Sequence, residues 1–382
     1  MKIAIMTLRL HANYGGILQC YALQNILRSL GHDVEVLDIR IPEEKLSNRN
    51  KIKKYIKRIY DKFLLKKNVP IFLEKVINTA RVIKEKNTRQ FIIKNINLSE
   101  NKFIYKEDFN NADFSKYDAI VVGSDQVWRP AYSWPSLYNF FLDFINDSKI
   151  KKIAYAASFG TDNAEYTQEQ IENCNRLIKQ FISVSVRESS AIHLIKDIYK
   201  WEINNVVHVL DPTLLLDKSS YIKLLKDENG SKEKYAFSYI LDSNENVELL
   251  QKNIISKINL PAKTINLEED NLLNPSSLPH IEDWLKYIYN AEFIITDSFH
   301  GCVFSIIFNK PFIVIANRQR GYSRFSSLLS LLNLEERIMD IHEKNIENYL
   351  YHSNINWLKV NNILEQERLK SISFIKTALN GK

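Results

Sequence analysis

Short apolar runs that stop abruptly in polar residues, each followed by a stretch with helical spacing, recur along almost the whole chain. Lys2–Leu8 is the first, closed by the loop His11-Ala12-Asn13-Tyr14-Gly15-Gly16. Ile17–Leu30 then carries apolar residues at helical intervals, with Gly31 as its stop. Asp33–Ile39, Tyr117–Val122, Lys152–Phe159, Ser183–Arg187 and Val206–Leu210 repeat the strand signal, and Thr167–Phe181 and Ser189–Ile198 the helical one. From about Ser219 the alternation starts again, with strands at Tyr235–Leu241, Ala262–Leu267, Glu292–Thr296 and Pro311–Ile315. Helices are expected at Asn244–Ile258, Ile281–Tyr289 and Val303–Phe308, and a long one at Asn356–Leu379. This alternation predicts an α/β protein with two parallel sheets covered on both faces, as two Rossmann-like domains facing a cleft. The expected division is 1–216, 217–354 and a terminal helix over 355–382.

One segment breaks the rhythm. Residues 45–94 hold 16 Lys+Arg and 3 Asp+Glu, a local charge of 16 − 3 = +13. The whole chain has 52 basic and 45 acidic residues, so the rest carries 36 − 42 = −6. Ile52, Tyr55, Ile56, Ile59, Tyr60, Phe63 and Leu64 recur at three- and four-residue spacing between the lysines, and Pro70 separates this helix from one over Ile71–Glu85. Two readings fit this insertion. It docks on an anionic membrane surface, or it is a helical pair packed on the first domain with solvated lysines. Nucleic acid is not expected as a partner, because the aromatic residues follow helix spacing and no recognition motif accompanies them. The apolar start of Met1–Arg9 is too short for a signal peptide, and no run reaches the ~18–20 apolar residues of a membrane span. Cys20, Cys174 and Cys302 form no CxxC pair. A cytoplasmic protein is expected, peripheral on the inner face of the membrane if the insertion docks.

In open parallel sheets ligands bind beyond the carboxyl ends of the strands, where this chain keeps its unusual polar clusters. Asn13, Tyr14, Gly15 and Gly16 follow the first strand, and the glycines let backbone approach a ligand closely. No GxGxxG or GxxxxGK[ST] pattern occurs, which leaves nicotinamide and ATP chemistry unsupported. Ser124, Asp125 and Trp128 follow the 117–122 strand: Asp125 suits a base or a sugar-hydroxyl partner, Trp128 a ring on which a sugar stacks, and Ser124 a further substrate contact. Arg187 ends another strand and suits a carboxylate or phosphate. Asp297-Ser298-Phe299-His300-Gly301 ends a fourth, with Asp297 or Ser298 able to cap the next helix and His300 in its first turn, where an anion would lie. Arg318, Arg320 and Arg324 crowd the following loop and suit a multiply charged anion. No His, Cys or carboxylate cluster has metal-ligand spacing, so no metal is expected.

With these pieces assembled, the sequence resembles the polysaccharide pyruvyl transferase family. The matching segments are Asn13–Gln19, Val122–Trp128, Ser185–Glu188, Asp211–Thr213 and Asp297–Gly301, in the family's order. The resemblance implies a fold similar to the GT-B glycosyltransferases, with the terminal helix returning towards the first domain. It implies transfer of the enolpyruvyl unit of phosphoenolpyruvate to a sugar, usually as a cyclic ketal, with no cofactor beyond that donor. The acceptor would be a sugar of a capsule or exopolysaccharide, or its lipid-linked oligosaccharide precursor. His300 and Arg187 map to residues proposed to hold phosphoenolpyruvate. Where many members carry an arginine this chain has Ser298, and Arg318 or Arg324 is the expected replacement. His300 is the expected acid or base, and Asp125 the expected acceptor of a sugar hydroxyl proton; Ser298 and Phe299 are taken as substrate contacts. Two other readings fit the residues: a nucleotide-sugar glycosyltransferase, and a non-catalytic module that captures anionic glycans.

Overall fold

The computed structural model describes residues 1–46, 51–225, 233–265, 275–316, 321–343, 345–351 and 354–381. Two all-parallel sheets organise them. The first contains β1 (Lys2–Met6), β2 (Asp33–Ile39), β3 (Leu98–Phe103), β4 (Ala119–Val122), β5 (Lys151–Ala157), β6 (Ser183–Val186) and β7 (Val206–His208), in the spatial order β3-β2-β1-β4-β5-β6-β7. The second contains β8 (Ala236–Tyr239), β9 (Ala262–Thr264), β10 (Phe293–Thr296), β11 (Phe312–Ala316) and β12 (Ile338–Asp340), ordered β12-β11-β10-β8-β9. Each order reverses once, between β1 and β4 and between β8 and β10. Such reversals open the crevice in which doubly wound sheets bind ligands. The loops after β1, β4 and β10 carry the polar clusters marked in the sequence.

The central strands are buried throughout because helices cover both faces: every residue of β4, β8, β10 and β11 is buried. α1 (Tyr14–Ser29) starts at Asn13, whose side chain accepts from the Gly16 amide at 3.1 Å. Its first turn is pressed against the second sheet's helices. Tyr14, expected beside the ligand, is instead wholly buried between the two sheets. Its ring stacks on Trp284 at 5.3 Å and its hydroxyl donates to the Pro279 carbonyl at 2.8 Å. The long helix Trp357–Asn380 lies against the first sheet's elements: the Leu210 amide donates to Ser371 Oγ at 3.0 Å, and Lys151 Nζ donates to the Leu379 carbonyl at 2.7 Å.

The basic insertion forms α2 (Lys51–Phe63), α3 (Leu73–Lys84) and α4 (Lys86–Asn95). α2 joins α3 through Tyr55 against Phe72 and a two-pronged Arg58–Glu74 ion pair at 2.7 and 2.8 Å. That is a helical pair, but it is built on the mixed face. The apolar stripe points away, leaving Ile52, Ile56 and Phe63 at 72%, 62% and 67% exposure, with Ile59, Tyr60 and Leu64 also exposed. Among the described residues, no helix is long and apolar enough to cross a membrane.

The Tyr14 contact gives a direct test of how the halves are joined. Tyr14→Phe removes one buried hydrogen bond and should cost about 1 kcal/mol. Tyr14→Ala also empties the ring's site and should cost about 3–5 kcal/mol. Both are read as shifts in the denaturant midpoint, and an unchanged midpoint in Tyr14→Phe would show that the hydroxyl contributes nothing.

Candidate active site

Arg187 stands at the end of β6 with its side chain only 1% exposed. A bare guanidinium there would be prohibitively costly, and three carboxylates surround it. Nη1 donates to Asp211 Oδ2 at 3.0 Å and Nη2 to Asp125 Oδ1 at 3.3 Å, while Glu188 Oε2 lies 3.9 Å from Nε. Burial works against its charge, but Asp125, Asp211 and Glu188 outweigh this and hold its pKa above the ordinary value. Glu188 is itself fixed by Ser158 Oγ and the Phe159 amide, each donating to Oε1 at 2.9 Å. Arg187 therefore belongs to a network joining the ends of β4, β5, β6 and β7.

Asp211 connects this network to the second sheet. It accepts from the Thr213 amide at 3.0 Å and the Thr213 hydroxyl at 2.6 Å. Its other oxygen, Oδ2, faces His300 Nε2 at 3.6 Å, an ion-pair distance rather than a hydrogen bond. Burial raises its pKa, but the facing His300 ring, Arg187 and Thr213 outweigh this and hold the carboxyl well below the usual range. His300 lies in the first turn of the helix Phe299–Ile307, which starts earlier than its spacing suggests because Ser298 caps it, accepting from the Gly301 amide at 3.3 Å. Its ring rests on the first turn of α1. A Cβ at Gly15 would fall 2.0 Å from His300 Nδ1, so only glycine admits the imidazole. At Gly16 the nearest groups would be the Asn13 amide at 3.0 Å and Asp125 Oδ2 at 3.4 Å.

Phe299 stacks beneath two cations, with the Arg187 guanidinium 4.7 Å and that of Arg324 5.9 Å from its ring centre. Arg324 differs from Arg187. Each has a buried Nε without a hydrogen-bond partner, but no carboxylate among the described residues pairs with Arg324. Burial and the Arg187 charge push its pKa down to about 10, despite Glu188 and Asp125. Arg318 and Arg320 lie outside the described residues.

Asp125 adopts a left-handed conformation at φ 72°, strained for a residue with a side chain, and its own carbonyl accepts from Ser158 N at 3.0 Å. Ser124 is buried beside it and donates to the Ala156 carbonyl at 2.9 Å, so it braces the loop. Trp128 corrects the expectation of a sugar platform. It is fully buried, stacked on Phe141 at 5.2 Å, and its Nε1 donates to the Phe140 carbonyl, leaving no free face.

The structure thus brings together Asp125, Arg187, Phe299, His300 and Arg324 with Gly15 and Gly16, while Asn13 and Ser298 cap helices that point there. Sequence reasoning assigned no role to Asp211. It follows β7 as Asp125 follows β4, and that strand-end position was the available signal. Among the described residues, no group of His, Cys, Asp and Glu could hold a metal ion. The arrangement offers a half-buried cation with no carboxylate partner among the described residues, a histidine against a carboxylate, and two helix N-termini around one space. It suits an anionic substrate and a proton transfer.

The family model for polysaccharide pyruvyl transferases matches residues 13–319, and the chain belongs to that family. Among curated proteins, no sequence matches the chain. Similar solved structures include an alpha-glucosyltransferase in complex with UDP and a 13-mer DNA, at 9% identity, covering 98% of this chain and 95% of that one, with a TM-score of 0.49. Arabidopsis thaliana UGT89C1 complexed with UDP-L-rhamnose is similar at 8% identity, 99% and 98% coverage and a TM-score of 0.48. The Methanocaldococcus jannaschii UDP-GlcNAc 2-epimerase is similar at 14% identity, 100% and 94% coverage and a TM-score of 0.42. The architecture is α/β, with two all-parallel sheets.

The contact at residue 15 yields a sharp expectation. Gly15→Ala should fold with an unchanged circular dichroism spectrum while activity falls at least tenfold, about 1.4 kcal/mol of transition-state stabilisation, because the methyl displaces the imidazole. Full activity would mean that His300 need not lie against α1.

Proposed function

We infer that this polysaccharide pyruvyl transferase takes phosphoenolpyruvate as donor and forms a cyclic ketal on a sugar. The observation that carries the reading is Arg324, a half-buried guanidinium with no carboxylate partner among the described residues, beside the Arg187–Asp211–His300 cluster. A donor with a carboxylate and a phosphate needs a cation that is not already neutralised. Arg187 is spent on Asp125 and Asp211, so in this reading it holds the carboxylates in place, and Arg324 and the helix N-terminus at Ser298 receive the anion.

The chemistry balances as follows. The donor's methylene carbon takes a proton and becomes a methyl group, leaving an oxocarbenium-like centre at C2. One sugar hydroxyl forms a C–O bond there and loses its proton; the C–O bond to phosphate breaks; a second hydroxyl closes the ketal and loses its own proton. Of the two protons released, one balances that taken up by the methyl and one leaves with inorganic phosphate. His300, oriented by Asp211, delivers the first proton. Asp125, whose Oδ2 faces the first turn of α1, receives one from the sugar. His300→Ala should keep its fold and lose phosphate release from phosphoenolpyruvate in the presence of acceptor. Arg324→Ala should lose thermal stabilisation by phosphoenolpyruvate. Stabilisation by a nucleotide sugar but not by phosphoenolpyruvate would instead favour the glycosyltransferase reading, and capture of glycan without phosphate release the binding module.

The acceptor in this reading is a capsule or exopolysaccharide sugar or its lipid-linked precursor, met at the inner face of the cytoplasmic membrane. The outward apolar stripe of α2 supports that location. Residues 51–67 hold eight Lys+Arg against Asp61 alone, and exposed apolar residues flanked by such charge suit an anionic bilayer. The protein should co-sediment with phosphatidylglycerol-containing vesicles at low salt but not with phosphatidylcholine vesicles, and Ile56→Glu with Phe63→Glu should abolish this. Unchanged sedimentation, or a dimer that the same substitutions dissolve, would overturn the assignment.

A further inference from the structure

A second pocket, of about 230 Å³, opens at the carboxyl ends of β1 and β2, under α3 and the start of α4. Its charged lining is Arg9, Asp38, Arg40, Arg81, Glu85 and Arg89, with Glu43 at the rim. Three of its four arginines pair with two inner carboxylates. Arg9 pairs with Glu85, while Arg40 and Arg89 share Asp38, Arg40 Nε at 2.9 Å and Arg89 at 3.9 Å. Arg81 has only a backbone partner among the described residues, donating to the Pro42 carbonyl at 3.2 Å. Glu43 is exposed and faces Lys45. Burial, with Arg40 and Arg9 as like-charged neighbours, lowers the Arg89 pKa, although Asp38 and Glu85 oppose this. Crowded guanidiniums with donors left over suit the oxygens of a phosphate or diphosphate.

The position of the pocket relates it to the active site. Loop residues 9–13 run from it to α1. On that loop, burial and then the charge of Arg9 lower the His11 pKa to about 4, with Asp125 opposing. That loop leads from Arg9 at the pocket to the first turn of α1, where Gly16 lies beside Asp125 Oδ2. Val82, on the pocket's wall, is 71% exposed. The volume lies below the range of about 300–1,000 Å³ typical of whole-ligand sites. It suits a diphosphate group better than a complete nucleotide.

We propose that this pocket binds the phosphate or diphosphate ester of the acceptor, holding it while the attached sugar reaches Asp125 and His300. The inference rests on the pyruvyl transferase reading for its acceptor, but the pocket's own chemistry is tested separately. Calorimetric titration of the full chain with inorganic pyrophosphate should show binding that Arg81→Ala and Arg89→Ala each weaken at least tenfold, with folding verified by circular dichroism and Arg81→Lys partly restoring affinity. Thermal stabilisation by phosphoenolpyruvate should be unchanged in these variants. Farnesyl diphosphate and UDP as parallel ligands tell a lipid ester from a nucleotide ester, the tighter arginine-dependent ligand naming the source. No pyrophosphate binding, binding indifferent to both arginines, or equal loss of phosphoenolpyruvate stabilisation would overturn the proposal. Arginine-dependent pyrophosphate binding without any phosphoenolpyruvate effect in the parent chain would leave the pocket standing and remove the donor assignment.

Discussion

The buried guanidinium of Arg187 is the constraint around which the catalytic end of the molecule is arranged. A cation at that depth is tolerable only if its neighbours are charged, aligned and themselves satisfied, and removing one partner from such a set typically costs about 3–5 kcal/mol. Asp125, Glu188 and Asp211 come from three different strand ends, so the requirement fixes the relative heights of β4, β6 and β7. The second sheet answers the same charge: Phe299 lies under it, and His300 faces the carboxylate that Arg187 holds. Electrostatics and packing thus specify one geometry together.

The remaining polar groups are arranged by the two reversals of strand order. Helix N-termini and loop backbones converge at these points in any doubly wound sheet, and here the two points face one another across the contact of α1 with the helix Phe299–Ile307. One apolar cluster runs from Ile3 and Tyr14 through to Phe237, Trp284 and Phe304, so the halves share a core where they meet. Rigid positioning of Arg187 and His300 follows from that continuity.

Much of this was legible in the residues. Apolar runs such as 119–122 and 293–296 announce buried parallel strands, and the polar residues after them mark the ligand-facing ends. β3 was missed because Leu-Ser-Glu-Asn-Lys-Phe is an edge strand with a solvated middle. The tryptophan at 128 misled, since an aromatic near a site looks the same in sequence whether it faces a sugar or a core. The partners of Arg187 were hidden for another reason: they are distant in sequence, and only the strand order brings them together. The spacing of α2 shows that it is amphipathic but not which side the protein keeps. Its mixed face proved to be the inner one because Arg58 finds Glu74 there.

The fit of residue 15 to residue 300 has an evolutionary consequence. Two positions from opposite halves of the chain occupy one small volume, so neither is free to drift alone. A lineage that gained a side chain at 15 would have to shrink or relocate the imidazole in the same step, and a lineage that lost the imidazole would release 15 to vary. Among descendants of this fold, glycine and histidine at these positions should be inherited as a pair, and their joint loss would mark the branches that gave up this contact while keeping the architecture.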